Sequence, residues 1–192
     1  MITYKKSHGL QVVARKEGAI VGKLDDFQFD LVQRVIYGYR LKGAGMFAKA
    51  GGVSADKLDQ IGRDVAFVES ETVIEWKGGA VRNPEEGRAW ASQYRGTRVM
   101  SRGGASLGVV DDFVFDPASD RVIAIIVDGD RIVELTEQVA TGPAAVIVET
   151  AELLEQLPNA EKGTNEDWWS RFTKPRPGKD DGSGPAPPAE GQ

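Results

Sequence analysis

Gly18-Ala19-Ile20-Val21-Gly22-Lys23-Leu24-Asp25-Asp26-Phe27-Gln28-Phe29-Asp30 returns 86 positions later as Gly104-Ala105-Ser106-Leu107-Gly108-Val109-Val110-Asp111-Asp112-Phe113-Val114-Phe115-Asp116, with eight of the thirteen pairs identical. With one extra residue in the second copy, Arg34-Val35-Ile36 then aligns with Arg121-Val122-Ile123. Further on, Ile61–Glu69 aligns more loosely with Thr141–Glu149. Matches that keep their order along the chain mark a duplicated module of roughly sixty to seventy residues.

Each copy reads as short strands joined by turns. Val12-Val13-Ala14 and Val99-Met100 begin the copies, and Gly18 and Gly104 stand where a tight hairpin needs positive φ. Phe27 and Phe29, like Phe113 and Phe115, lie two apart and so on one face of a strand. On strict alternation Asp26 and Asp30 share a face with Gln28, and Asp25 lies with the phenylalanines. Asp30-Leu31-Val32-Gln33 and Asp116-Pro117-Ala118-Ser119-Asp120 supply turns. Val35–Tyr39 and Val122–Val127 are β-branched and aromatic strand material, and Val65–Val68 and Ala145–Val148 close the copies. Many short strands at close spacing define an all-β class, built as small barrels or sandwiches. A module of ~60 residues buries only ~60% of its unfolded surface, so the copies are expected to pack on each other or across a homodimer interface.

Composition narrows the chemistry. The chain has 192 residues, of which 41% are hydrophobic, enough to build a core. It contains no Cys, which removes disulfides, thiolate nucleophiles and Cys-ligated metal. His8 is the single histidine, and a net charge of −5 disfavours a generic nucleic-acid or anionic-membrane binder. No apolar run approaches the ~18–20 residues of a membrane span, and Met1–His8 lacks the apolar stretch of a signal peptide. The expectation is a soluble, cytoplasmic protein.

The expected organisation is a first barrel over residues 1–76, a linker over 77–94, a second barrel with a short helix over 95–157, and a tail over 158–192. Within the linker, Pro84–Trp90 could hold a helical turn. Thr150–Leu157 reads as a helix capped by Thr150 and stopped by Pro158. Six of the nine prolines lie from Pro158 onward, in a composition expected to stay disordered. Trp168, Trp169, Arg171 and Phe172 interrupt it.

The run Gly22–Asp30 followed by Val35-Ile36-Tyr37-Gly38 resembles the PRC-barrel family, as does Val53–Val68. The second copy carries the first motif well, while Pro143 and Ala144 stand where Arg63 and Asp64 align. The resemblance covers residues 8–70 and 96–150 and implies a small, strongly bent β-barrel. The family includes the cytoplasmic part of the photosynthetic reaction-centre H subunit, the C-terminal domain of a ribosome-maturation factor, and many stand-alone bacterial and archaeal proteins. It implies docking and assembly rather than chemistry.

Several residues were candidates for chemistry. Asp25, Asp26 and Asp30, echoed by Asp111, Asp112 and Asp116, could bind a hard cation or work as acids and bases; the competing reading is turn-capping and edge-protecting aspartates. Gly43-Ala44-Gly45-Met46-Phe47-Ala48 matches a dinucleotide fingerprint in letters, without the βαβ unit that the fingerprint requires. His8 has no triad partners in view. Trp76 and Trp90 flank the linker and suit packing between the copies. Lys5, Lys6, Arg15 and Lys16 form a minor basic patch that reads as solvated surface.

The tail is the strongest interaction signal. Trp and Arg dominate binding hot spots, so Trp168, Trp169, Arg171 and Phe172 are expected to recruit a protein partner or to fold back onto the barrels, with Met46 and Phe47 as further partner contacts. The reading is a non-enzymatic adaptor or assembly module of tandem PRC-barrels, with no cofactor and no metal. The alternative is an RNA- or ribosome-associated maturation factor, and an enzyme stands third.

Overall fold

In chain order the elements are β1 (Ile2–Thr3), α1 (Tyr4–Ser7), β2 (Gln11–Ala14), β3 (Ala19–Asp30), β4 (Ile36–Gly43), β5 (Ala50–Ser54), β6 (Leu58–Ile61) and β7 (Val65–Val68). They continue as β8 (Arg88–Trp90), α2 (Ala91–Tyr94), β9 (Arg98–Ser101), β10 (Ser106–Asp116), β11 (Arg121–Val127), β12 (Arg131–Glu134), β13 (Val139–Thr141), β14 (Ala145–Val148) and β15 (Glu155–Gln156). The computed structural model describes residues 1–43, 49–76 and 84–157. The fold is all-β, as the strand pattern implies, and its two helices are single turns.

The duplication is repeated strand for strand, save that β15 adds a further strand to the second sheet. One sheet runs β5-β4-β3-β2-β7-β6 and the other β15-β12-β11-β10-β9-β14-β13. In both, the first strand of the copy pairs parallel with the closing strand, Val12 opposite Ala66 and Val99 opposite Val146. The hairpin turns fall at Gly18 (φ 61°) and Gly104 (φ 87°), where only glycine adopts positive φ without cost.

Each long strand is bent at the same two places. Leu24 pairs with Leu41 and Asp26 with Arg40, which leaves Asp25 as the extra residue of a β-bulge; a second irregularity follows between Gln28 and Phe29. Asp111 is the extra residue of β10 in the same way. A bulge bends its strand and re-aims side chains, and this corrects the alternation read from sequence. Asp25 is half-buried, whereas Asp26 is buried beside Phe27 and Phe29.

The register also corrects the alignment of the following turn. Phe29 pairs with Ile36 and Phe115 with Val122, so the offset of 86 holds through the hairpin and no extra residue enters the second copy. Arg34 (φ 62°) therefore corresponds to Asp120 (φ 49°), not to Arg121.

The two copies are interlocked rather than merely tandem. The N-terminal strand β1 adds to β10 of the second copy, with Ile2 opposite Phe115 and Thr3 opposite Val114. Strand β8 adds to β3 of the first copy, with Ala89 opposite Phe29 and Trp90 opposite Gln28. Each copy thus lends its leading arm to the other, in equivalent registers. Arg88–Tyr94, read from sequence as linker, forms β8 and α2, because β3 offers its residues 28–30 as a free edge.

Between the sheets lies one shared core. Phe27 and Phe115 stand 4.9 Å apart between ring centroids, and Phe29 and Phe113 stand 5.4 Å apart. Tyr4, Tyr39 and Tyr94 close around them. Aromatic pairs in such tilted and edge-to-face arrangements each contribute roughly 0.5–1.5 kcal/mol beyond area burial.

The stretch expected as a helix after Thr150 is a single 3-10 turn, Ala151–Leu153, followed by β15. Glu155 and Gln156 pair with Ile132 and Arg131, and this pairing along β12 outweighs the local helical preference. Trp90 is buried in the exchanged arm, whereas Trp76 lies within its own copy over Gly43 and Gly51.

Candidate functional site

The repeated acids meet the exchanged arms and form a polar clasp. Asp26 on β3 accepts hydrogen bonds from the Ser92 N–H (3.1 Å) and the Ser92 hydroxyl, both on α2. Its Oδ1 also accepts from the Phe27 N–H at 2.9 Å. Asp112 on β10 accepts from the Lys5 N–H on α1 (3.1 Å) and from the Phe113 N–H (2.9 Å). A helix's first N–H groups have no partner within the helix. Each aspartate therefore caps the opening turn of the arm lent by the other copy.

The two ends of the clasp differ in charge. Arg40 reaches Asp25 at 2.5 Å and Asp26 at 3.1 Å, and its guanidinium lies 4.8 Å from the Trp90 ring. In the second copy Ile126 occupies the position of Arg40, opposite Asp112. There Asp111 takes the cations instead, with Lys5 Nζ at 2.6 Å and Arg95 at 3.4 Å. Burial pushes the Asp26 carboxyl above its ordinary value, opposed by the Ser92 hydrogen bonds and by Arg40. Burial also raises Asp112. Asp111 is held low, chiefly by the hydrogen bond from Lys5.

His8 sits at the rim, its Nδ1–H donating to the Asp25 carbonyl at 2.7 Å, and its ring is 5.9 Å from that of Tyr4. Arg95 makes the equivalent bond in the other copy, Nε to the Asp111 carbonyl at 2.6 Å. Burial pushes the phenols of Tyr4 and Tyr94 up to about 12, well away from proton transfer near neutrality. A cavity of ≈ 10 Å³ opens between Tyr4, His8, Leu24, Asp26 and Tyr39. That is room for about one water.

Asp30 and Asp116 act in turns: Asp30 Oδ1 accepts from Val32 N–H (2.8 Å) and Gln33 N–H (2.6 Å), and Asp116 from Ala118 N–H and the Ser119 hydroxyl. Among the described residues no group of three His, Cys, Asp or Glu side chains has metal-holding geometry. Gly43 ends β4, and Lys42 pairs antiparallel with Ala50 of β5. The remaining fingerprint-like letters, Ala44–Ala48, lie outside the described residues.

Trp168, Trp169, Arg171 and Phe172, together with Met46 and Phe47, lie outside the described residues. Sequence reasoning singled out Asp26 and Asp112 but missed Arg40, Ser92 and Arg34. Arg34 reaches from the turn after β3 into the other copy and donates to the carbonyls of Leu135, Thr136 (2.9 Å) and Val139 (2.5 Å). Its signal in the sequence is a break in the repeat, since the equivalent residue is Asp120.

The family model of the PRC-barrel domain matches residues 87–154. That span covers the second copy together with the arm it lends to the first, so this part of the chain is a PRC-barrel domain. The first copy repeats its strand order and register. A comparison with curated proteins returned no match. Among the described residues no helix is long and apolar enough to cross a membrane.

Proposed function

We propose that the protein is a non-enzymatic adaptor or assembly module, a rigid interlocked pair of PRC-type barrels that presents a recruiting segment. The observation that supports this most is the use of the repeated acids. Asp26 and Asp112, the buried carboxylates among the described residues, are directed inward as caps for the exchanged arms, and the space beside Asp26 holds about one water. Carboxylates committed in this way stiffen a scaffold rather than serve a substrate.

On this reading Trp168, Trp169, Arg171 and Phe172 form a linear motif that recruits a partner protein, and Met46 and Phe47 offer a further contact. Large aromatic and guanidinium groups supply most of the energy in such contacts. Affinity capture with the full chain should retain a defined protein. The full-length variant with all four tail residues changed to Ala should lose it. A partner set unchanged by that variant overturns the tail assignment, and ribosomal particles captured with steep salt sensitivity would favour a maturation factor.

A further inference from the structure

The interlock is closely symmetric, and one departure from symmetry lies at the turns that follow β3 and β10. At one end, the turn after β3 places the Arg34 guanidinium among three backbone carbonyls of the opposing copy. At the other end, the equivalent turn after β10 carries Asp120. The turns correspond closely: Val122 N–H donates to the Arg34 carbonyl (2.9 Å), and Ile36 N–H donates to the Asp120 carbonyl (2.7 Å). Ser54 pairs with Gly38 as Glu134 pairs with Ala124, so Ala55 and Asp56 stand where Leu135 and Thr136 receive Arg34.

A slot that holds a cation at one end is therefore lined by acids at the other. Asp120 lies close enough to Asp56 and Asp116 for their charges to act on it, raising its carboxyl further after burial has done so. Tyr39, only 2% exposed, stands where the other copy has Ile125. Its hydroxyl is buried without a hydrogen-bond partner, and the charges that act on it are those of Asp120 and Asp116. A buried hydroxyl left unpaired is costly. The nearest arginine in sequence, Arg121, is engaged elsewhere, donating to the Gln33 carbonyl at 2.9 Å. Asp56 is exposed and Asp116 and Asp120 are half-buried, so the carboxylate side of the notch meets solvent while the Tyr39 hydroxyl is shut off from it.

We propose that this notch, formed by Asp56, Asp116, Asp120 and the Tyr39 hydroxyl, docks the guanidinium of an arginine presented by a partner protein. Guanidinium is favoured because the equivalent slot at the other end of the same molecule already accepts one. A planar fork of several donors can also serve carboxylates and a phenol oxygen together, which a point charge does less well. The inference rests on the docking reading above and assigns it a surface on the folded body.

The test uses the full chain, with N-acetyl-arginine methylamide as the probe and N-acetyl-lysine methylamide and Ca²⁺ as comparisons. Carbon-13 shifts of the aspartate carboxyls and of the tyrosine rings are followed. The arginine probe should move Asp56, Asp116, Asp120 and Tyr39, with about tenfold weaker binding by Asp120→Asn, the equivalent of one strong charged hydrogen bond. Asp120→Arg should abolish binding by filling the slot itself, and should melt above Asp120→Gln, which meets the same left-handed backbone without the charge. Equal responses to lysine and arginine, a response to Ca²⁺ alone, no response, or Asp120→Arg melting at or below Asp120→Gln would each overturn the proposal. Failure here with partner capture still lost in the four-residue tail variant would leave the adaptor reading standing.

Discussion

Asp26 and Ser92, 66 residues apart in sequence, are joined by two hydrogen bonds that hold α2 of the second copy against β3 of the first. Removing the carboxylate leaves the Ser92 N–H without its acceptor and Arg40 without one of its two anions. Truncating one partner of a buried charged pair costs roughly 3–5 kcal/mol. Since Arg40 keeps Asp25, Asp26→Ala should lie at the lower edge, about 3 kcal/mol, in urea unfolding of the full chain. Ser92→Ala, which keeps the backbone bond, should cost about 1 kcal/mol. Equal losses for the two would show that the carboxylate has no role beyond the serine hydroxyl.

Asp112 performs the same capping without an arginine beside it, and this gives stability a pH dependence of known sign. Burial raises its carboxyl above the ordinary 3.8. A raised carboxyl favours the folded state fully below its unfolded pKa, and that contribution is lost as pH rises through the folded value. Asp112→Asn stays neutral throughout while keeping an acceptor for the Lys5 and Phe113 amides. It should therefore be more stable than the parent at pH 7 and lose that advantage as pH falls toward the ordinary carboxyl value. Asp111, held low by Lys5, acts in the opposite direction in both proteins and so drops out of the difference. Urea midpoints measured across this range check the sign, and an advantage that grows on acidification would contradict it.

Arg34 ties the turn after β3 to the loop between β12 and β13. Arg34→Met keeps the side chain's apolar stem but strands the carbonyls of Leu135, Thr136 and Val139. Hydrogen bonds to charged groups contribute about 1.5–3 kcal/mol each, and not additively, so a loss of about 3 kcal/mol is expected. Amide exchange should accelerate over Leu135–Val139 before it does elsewhere. A uniform acceleration would mean that the arginine acts on global stability alone.

The repeat made the strands legible because burial on one face writes itself into the sequence, as Phe27 and Phe29 and their counterparts Phe113 and Phe115 show. The match to residues 87–154 supports the family resemblance over the second copy. The exchanged arms were hidden for a physical reason. Ile2-Thr3 and Arg88-Ala89-Trp90 are too short to show a period, and their strand character comes from edges that β10 and β3 provide only after folding. Bulges at Asp25 and Asp111 likewise invert the facing that alternation gives, and no residue type announces them. The Arg34 and Asp120 slots were obscured by a one-residue misalignment of the turns, although the exchange of an arginine for an aspartate stood in the sequence.

Trp76 and Gly51 supply a local probe of the first copy. A Cβ placed on Gly51 would lie 2.7 Å from the Trp76 ring and 3.1 Å from Ile74. Gly51 lies in β5 opposite Leu41, so the backbone has little freedom to retreat, and the indole must move instead. Overpacking of this kind typically costs about 1–3 kcal/mol, and Gly51→Ala should fall in that range, with the Trp76 fluorescence displaced toward that of a solvated indole. The equivalent position of the second copy is Arg131, paired with Val127, so the indole-on-glycine contact belongs to the first copy alone. The exchanged arms hold the copies together through the Asp26 and Asp112 caps, whose hydrogen bonds involve neither Trp76 nor Gly51. The β1–β10 and β8–β3 amides should therefore keep their protection in Gly51→Ala under conditions where the protein remains folded. Loss of protection at β8 in that variant would instead show that the Trp76 contact and the interlock are a single cooperative unit.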